Sequence, residues 1–527
     1  LRGRKSPAVP AKSTAGVVSE IPSANNFAGA SDFAATGGVE MWQQIKSAVL
    51  FIAVATILIL SIAETSRAQA NVTTKMGALN DGATYLIQVP NNWNGTLFLY
   101  SHGYVTPGSA NPATDVGDPD TGAFLLANGF ALAGSSYATT GWAIHEALTD
   151  QISVLDKFDT MFPHPAATIA WGHSLGGIIT AGLIQRNPKR FTAAQPMCGV
   201  LSGGVATWNT ALDAEFAFKT LLAPTTNLQV VDIANPTANL TLAEEVLAGA
   251  QATPQGRARI ALGAALGDTP GWFTPDTPEP SPTDFASQEA NQFLWDEQVD
   301  FPFVFAFRAE LEARAGGNVS WNTGVDYRKQ VEKSVDRDEV WALYQTAGLS
   351  LEEDLDTLNR AARIAANPKA VNYLEQNIIF DGRIDIPVLS MHTKGDGLVV
   401  VQNESAYKDV VDRVDDNSRL LRQTFIDRAG HCAFTPAETI AAVETLLKRL
   451  ETGKWPSIEA NLLNGDAAAL GPQFNIFAVG TTVVPTPPAF IDYTPAPYLR
   501  TFDAFAHPCF FGFGDDCTQG FSFGETY

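Results

Sequence analysis

Residues Gly172-His173-Ser174-Leu175-Gly176-Gly177 place a hydroxyl between glycines, where the apolar run Thr168-Ile169-Ala170-Trp171 gives way to a helical period through Ile178, Ile179 and Leu183. A serine at such a strand-to-helix turn sits on a sharply bent backbone, and flanking glycines let the chain close on itself. Its hydroxyl then stands clear of the sheet, and the next amide, Leu175 N–H, points from a helix N-terminus toward any oxyanion that forms. Serine is a weak nucleophile that needs a base, itself oriented by an acid. Of seven histidines, His431 alone falls between the last strand-like run and the last helix-like one, in Asp427-Arg428-Ala429-Gly430-His431-Cys432. Asp396, in the turn Gly395-Asp396-Gly397 after the run Ile386–Met391, is the candidate acid, with Asp427 as the fallback. A second oxyanion donor is expected at Tyr104 N–H, because the buried-strand pattern Leu97–Tyr100 ends in Ser101-His102-Gly103-Tyr104. His102 is expected to support that loop rather than to carry protons.

These groups need a scaffold, and the apolar runs supply one. Strands are predicted at Thr84–Val89, Thr96–Tyr100, Phe130–Ala133, Ala167–Trp171, Thr192–Cys198, Ile386–Met391 and Leu420–Ile426. Helical periods fall between them, and a last helix over Pro436–Leu450 has Thr435 as its N-cap. Such alternation predicts an α/β fold, a mostly parallel sheet with helices on both faces. The interval from Cys198 to Ile386 is far longer than a crossover needs. Its helical patterns, Ala211–Leu222, Leu242–Ala252, Arg257–Leu266, Gln288–Val299 and Arg328–Ala347, predict an inserted helical cap. The cap is dense in aromatics (Trp272, Phe273, Phe285, Phe293, Trp295, Phe301, Phe303, Phe305, Phe307, Trp321), which could wall an acyl pocket or form the cap's own core. Its charged residues Glu289, Glu297, Arg308 and Glu310 are candidates for holding a peptide terminus. The resulting scheme is an upstream extension over 1–40, a signal peptide over 41–70, core over 71–200, cap over 201–385, core again over 386–455, and a loop-rich tail over 456–527.

Lys and Arg total 34 and Asp and Glu total 56 among 527 residues, a net charge of −22. That balance argues against a nucleic-acid partner, which needs a basic face. Forty-five per cent hydrophobic residues provide for a large core rather than a disordered chain. After Met41, a short charged start, the apolar run Ala48–Ala63 and Ala68-Gln69-Ala70 make up the three parts of a signal peptide. The run spans about 24 Å as a helix, short of a ~30 Å hydrocarbon core, so a secreted chain beginning near Asn71 and not inserted in a membrane is expected. Export permits disulfides. Cys198 ends the strand after the elbow helix and Cys432 follows His431. The His loop must cross above Cys198 to reach Ser174, so a Cys198–Cys432 bridge is expected, with Cys509–Cys517 as a local one.

Together, the Gly172–Gly176 elbow, the His102–Tyr104 loop, the Asp396 turn and the His431 loop resemble the α/β-hydrolase superfamily of serine hydrolases over about residues 80–200 and 385–450. The resemblance implies the α/β-hydrolase fold, carboxylic ester hydrolysis, and neither cofactor nor metal. Secreted tannase and feruloyl-esterase relatives share a large cap and a cysteine after the histidine, but carry Cys before the nucleophile where this chain has His173. The expectation is therefore a secreted hydrolase of small-molecule or polymeric esters acting through an acyl-enzyme on Ser174. The alternatives are a peptidase of the same fold and an inactive binding protein.

Overall fold

The computed structural model describes residues 71–414, 417–479 and 481–502; the expected leader and the expected Cys509–Cys517 pair lie outside them. The chain enters through β1 (Val72–Ala78), β2 (Thr84–Pro90) and β3 (Thr96–Ser101). Helix α1 (Pro119–Ala127) leads to β4 (Ala131–Ser135), α2 (Ile144–Met161) to β5 (Ala167–His173), and α3 (Leu175–Arg186) to β6 (Ala193–Met197). An insertion follows: α4 (Gly204–Leu222), α5 (Pro236–Gln251), α6 (Pro254–Gly267), α7 (Phe285–Trp295), α8 (Arg308–Ala315), α9 (Tyr327–Lys333), α10 (Arg337–Ala347), α11 (Leu351–Arg360) and α12 (Pro368–Gln376). Alternation resumes with β7 (Val388–Gly395), α13 (Gln402–Asp412), β8 (Leu421–Ala429) and α14 (Pro436–Thr452). Helix α15 (Ala460–Ala469), the hairpin β9 (Ile476–Val479) and β10 (Thr482–Pro485), and β11 (Phe490–Ile491) follow.

Nine strands form one sheet in the order β1-β2-β4-β3-β5-β6-β7-β8-β11. From β4 to β8 the neighbours run parallel, and the flanking strands are antiparallel. This is the expected α/β-hydrolase architecture. Both faces are covered, which is why β3 is apolar on both: Leu97 and Leu99 join a cluster with Leu148 and Ile178, while Phe98 and Tyr100 join Leu125 and Ala441. Helix starts repeat one local device, a capping side chain followed by proline, at Asp118-Pro119, Asn235-Pro236, Thr253-Pro254, Asn367-Pro368 and Thr435-Pro436. The cap oxygen takes up an orphan N–H, and proline has none to lose. No helix among the described residues is long and apolar enough to cross a membrane.

Three elements differ from expectation. Strand β1 precedes the first expected strand; Thr73, Thr74 and Lys75 in succession are exposed, on both of its faces, so no apolar period marks it. The helix expected over Arg328–Ala347 is two, because Ser334 leaves α9 at ψ 142° and α10 starts afresh. The tail expected as loops contains α15 and places β11 against β8. The insertion has its own apolar cores, one joining Phe216, Leu262, Tyr344 and Leu358, another joining Phe218, Leu247, Phe301 and Phe305.

The end of β8, the start of α14 and the approach to β11 meet at one buried carboxylate. Glu438 accepts from Arg428 at 2.7 and 2.9 Å, from Thr435 N at 2.8 Å and from Ala489 N at 2.8 Å. Thr435 Oγ1 accepts in return from Glu438 N, a capping box. Arg428 also donates to Ala433 O, so this pair closes the loop that carries His431. Arg428→Met would strand the Glu438 charge in the interior. A loss of about 3–5 kcal/mol is expected, read as a lower urea midpoint at unchanged slope.

Candidate active site

Ser174 joins β5 to α3 with φ 58° and ψ −123°, a conformation that costs a non-glycine residue free energy and persists only where its surroundings enforce it. The surroundings are glycines. A Cβ on Gly176 would lie 1.9 Å from Ser101 O, and one on Gly172 would lie 2.4 Å from the same oxygen. The end of β3 can therefore press against the elbow only while both positions lack side chains. On the other flank Ser174 N donates to Met197 O at 3.0 Å. Gly103 packs so closely that a Cβ there would be 3.3 Å from Ser174 Cβ. Among the described residues, the amide nitrogens of Leu175 and Tyr104 donate to nothing, leaving two N–H groups beside the elbow for an oxygen of a ligand.

Asp396 is fully buried after β7. Its Oδ1 accepts from Val399 N at 3.0 Å and its Oδ2 from His431 Nδ1 at 2.8 Å. A carboxylate only accepts, so Nδ1 carries the proton and Nε2 is left as the base. The loop is held to β7 at Gly430, whose N donates to Gly395 O at 2.9 Å and whose O accepts from Thr393 Oγ1 at 2.7 Å. Asp427, the fallback acid, faces Lys394 at 3.6 Å instead. His431 Nε2 lies 3.4 Å from Cys432 Sγ, and among the described residues Ser174 Oγ has no hydrogen-bond partner. The structure thus joins acid to imidazole and leaves the imidazole-to-serine bond unmade, a common looseness of sites without substrate. His173 is hydrogen-bonded to the Tyr100 hydroxyl at 3.1 Å. Burial first, and the His431 charge second, hold His173 down at about 4, so it stays neutral beside the base. His102 stacks on Tyr137 with ring centroids 3.9 Å apart and its Nδ1 bonds Gly103 O at 2.7 Å, a loop support as expected.

The insertion packs on both catalytic-type turns. Gly397 would meet Trp295 at 2.3 Å with a Cβ, Gly395 would meet Trp272 at 3.1 Å, and Gly430 would meet Pro275 at 3.1 Å. Helix α7 runs on through two π-helical stretches, Asp296–Asp300 and Phe303–Phe307, around Pro302, which has no N–H for the ladder. Beneath them, Ser174 and Leu175 open into a cavity of about 1160 Å³, its open mouth included, walled by Tyr104, Trp142, Trp208, Phe218, Phe301, Phe303 and Phe305. Of the cap aromatics expected as a wall, Phe301, Phe303 and Phe305 line it. Trp321 packs instead against Phe502, and Trp272 and Trp295 serve the loops. Trp142 and Trp208 belong to no motif; their mutual edge contact at 5.5 Å appears only in the fold. Of the charged candidates, Arg308 is buried between Glu215 and Glu312, Glu310 pairs with Arg314, and Glu289 is buried beside Gln251. None lines the cavity, whereas Glu215, Asp296 and Asp300 do.

Cys198 and Cys432 are bonded, with Cα atoms 5.3 Å apart, 234 residues apart in the chain. Both have positive φ, 42° and 54°. A loop of that length is worth about 5 kcal/mol in the chain-entropy account. Replacing both cysteines by serine frees the loop that carries His431, and a ~1 Å drift costs up to ~10²-fold in rate. The double variant is expected to keep KM within a few-fold and to lose kcat, measured against the unreduced parent.

No family model matches the sequence. The chain is 30% identical over 434 residues to the o-phthalyl amidase of Xanthobacter agilis, covering 75% of this chain and 91% of that protein. Among solved structures, an esterase from Aspergillus oryzae aligns with TM-score 0.40 at 13% identity, over 82% of this chain and 88% of that one. Feruloyl esterase B from Aspergillus oryzae aligns with TM-score 0.36 at 13% identity, over 73% and 82%. At those scores neither structure speaks to the activity of this chain.

Proposed function

The chain belongs to the family of the Xanthobacter agilis o-phthalyl amidase, and on that premise we propose that it hydrolyses amides of aromatic acyl groups through an acyl-enzyme on Ser174. The observation that carries the reading is the 2.8 Å bond from His431 to the buried Asp396, on loops flanking a strained serine elbow that opens into an aromatic cavity. Ser174 Oγ attacks the acyl carbon while His431 Nε2 takes its proton, and Asp396 stabilises the imidazolium. Leu175 and Tyr104 N–H groups hold the oxyanion, each worth about 3 kcal/mol. The C–N bond then breaks as His431 passes its proton to the nitrogen, because an amide anion is too poor a leaving group to depart alone. Water, deprotonated by His431, attacks the acyl-enzyme; the carboxylic acid leaves and Ser174 Oγ recovers the proton. Esters follow the same steps with an easier leaving group, so ester turnover is expected beside amide turnover. The leader expected over 41–70 and the disulfide next to His431 support the reading of an exported protein.

A panel of matched aromatic acyl amide, aryl ester and internal peptide substrates tests this reading. The amide and ester should both be cleaved and the peptide should not. Ser174→Ala should cut both rates at least ~10³-fold with the near-UV spectrum unchanged. Cleavage of the peptide alone, or more than a tenth of the rate surviving in the variant, would refute it.

A further inference from the structure

Behind the Asp396–His431 pair lies a buried histidine that the proposed mechanism does not use. His392 on β7 is fully buried, and so are Ser390 on the same strand and Glu404 on α13. His392 Nε2 lies 2.7 Å from Val399 O, and its Nδ1 lies 3.1 Å from Glu404 Oε1. A carbonyl only accepts, so Nε2 carries a proton. Glu404 Oε2 already accepts from two donors, the Ser390 hydroxyl and Gln423 Nε2, the latter at 2.6 Å. Those bonds favour the carboxylate form of Glu404, which can then only accept from Nδ1. Both ring nitrogens therefore donate, and His392 is an imidazolium.

Its positive ring faces the Asp396 carboxylate. Nε2 is 3.6 Å from Asp396 Oδ2, the oxygen that also accepts from His431. Among the described residues no lysine or arginine pairs with Asp396; its ion-pair partners are these two imidazoles. The Val399 peptide joins the same groups, its N donating to Asp396 Oδ1 and its O accepting from His392. Burial by itself pushes His392 toward the neutral form. The Glu404 bond and charge, then the Asp396 charge, outweigh burial and hold the ring up from its ordinary value. Other titratable groups nearby are Tyr407 on α13, facing Glu404; Asp300 of the insertion, facing Asp396; and His173, facing His431.

We propose that His392 is a positioning residue for His431: backed by Glu404, its imidazolium supplies the buried counter-charge of Asp396 and ties down the turn that carries it. The assignment deepens the reading of Asp396 and His431 as acid and base and rests on it for any effect on rate. A positive charge at that place opposes uptake of a further proton by the Asp396–His431 pair, whichever of the two would take it. Removing the charge lets the pair keep a proton to higher pH.

The variant His392→Gln/Glu404→Gln removes the charge without leaving a buried ion unpaired, and near-UV dichroism checks its fold. With the aryl ester as substrate, the acid limb of kcat/KM should move to higher pH by at least about half a unit, about threefold in rate on that limb. A merely structural role would lower the rate equally at every pH. Glu404→Gln alone, which lets His392 lose its Nδ1 proton, should move the limb the same way and serves if the double variant does not fold. Nitrogen NMR of histidine-labelled protein reads the charge without turnover. One imidazole of the parent should hold protons on both nitrogens at about pH 8, and that signal should be missing from the variants. The same spectra follow His431, whose titration should move up with the limb. An unmoved limb, a limb moved to lower pH, or a bare ring nitrogen on His392 in the parent would overturn the proposal. Turnover that survives Ser174→Ala while the His431 shift is present fails the catalytic reading alone; turnover lost in Ser174→Ala while that shift is absent fails this proposal alone.

Discussion

The close approach of β3 to the Ser174 turn is the constraint on which the site depends. Ser101 O can lie where a Cβ of Gly176 or Gly172 would be only because those residues have none. That contact holds the serine backbone at positive φ, starts α3 immediately after it, and leaves Leu175 N–H unbonded at the helix N-terminus. It also sets Gly103 and the Tyr104 amide beside the same point. A methyl group at either glycine would either push β3 away or relax the turn, and in both cases hydroxyl and amides would part. The strain at Ser174 is thus offset by packing over a long stretch of sheet rather than by any one strong bond.

The insertion stabilises the site from above as well as covering it. Trp295 lies on Gly397 beside the acid, and Pro275 on Gly430 beside the imidazole, so the two loops that meet in the Asp396–His431 bond are clamped by one segment. The Cys198–Cys432 bond ties the second loop to the end of β6, and Arg428 with Glu438 closes its far side. Three independent restraints thus hold the one short loop that carries His431, as the proposed role of its imidazole requires. Trp295 ends α7, and the π-helical stretch Asp296–Asp300 that follows it directly brings Asp296 and Asp300 to the cavity wall.

Much of this was legible in the residues. The elbow, the order serine, acid, histidine, and the Cys198–Cys432 pairing all follow from small local patterns whose place in a parallel sheet is dictated by strand order, and the observed sheet runs in that order. Less was legible where burial is one-sided or contacts are distant. Strand β1 shows exposed threonines and a lysine, and β11 is two residues long, so neither leaves an apolar period to read. The walls of the cavity come from Trp142 at the start of α2, Trp208 on α4 and phenylalanines around Pro302, segments with no common spacing. No motif marks Asp296 and Asp300, which the fold sets on the cavity wall. Aromatic density in the insertion left wall and core both open: Phe301, Phe303 and Phe305 line the cavity, while Trp321 packs on Phe502 and Trp272 and Trp295 lie against the loops.

The central claim is that Ser174, and no other hydroxyl, takes the acyl group. Incubation with a fluorophosphonate, followed by intact-mass measurement and peptide mapping, addresses it directly. The account predicts one phosphonyl group per chain, mapped to Ser174 and absent from Ser174→Ala. An unmodified chain, or an adduct on any other residue, would contradict it.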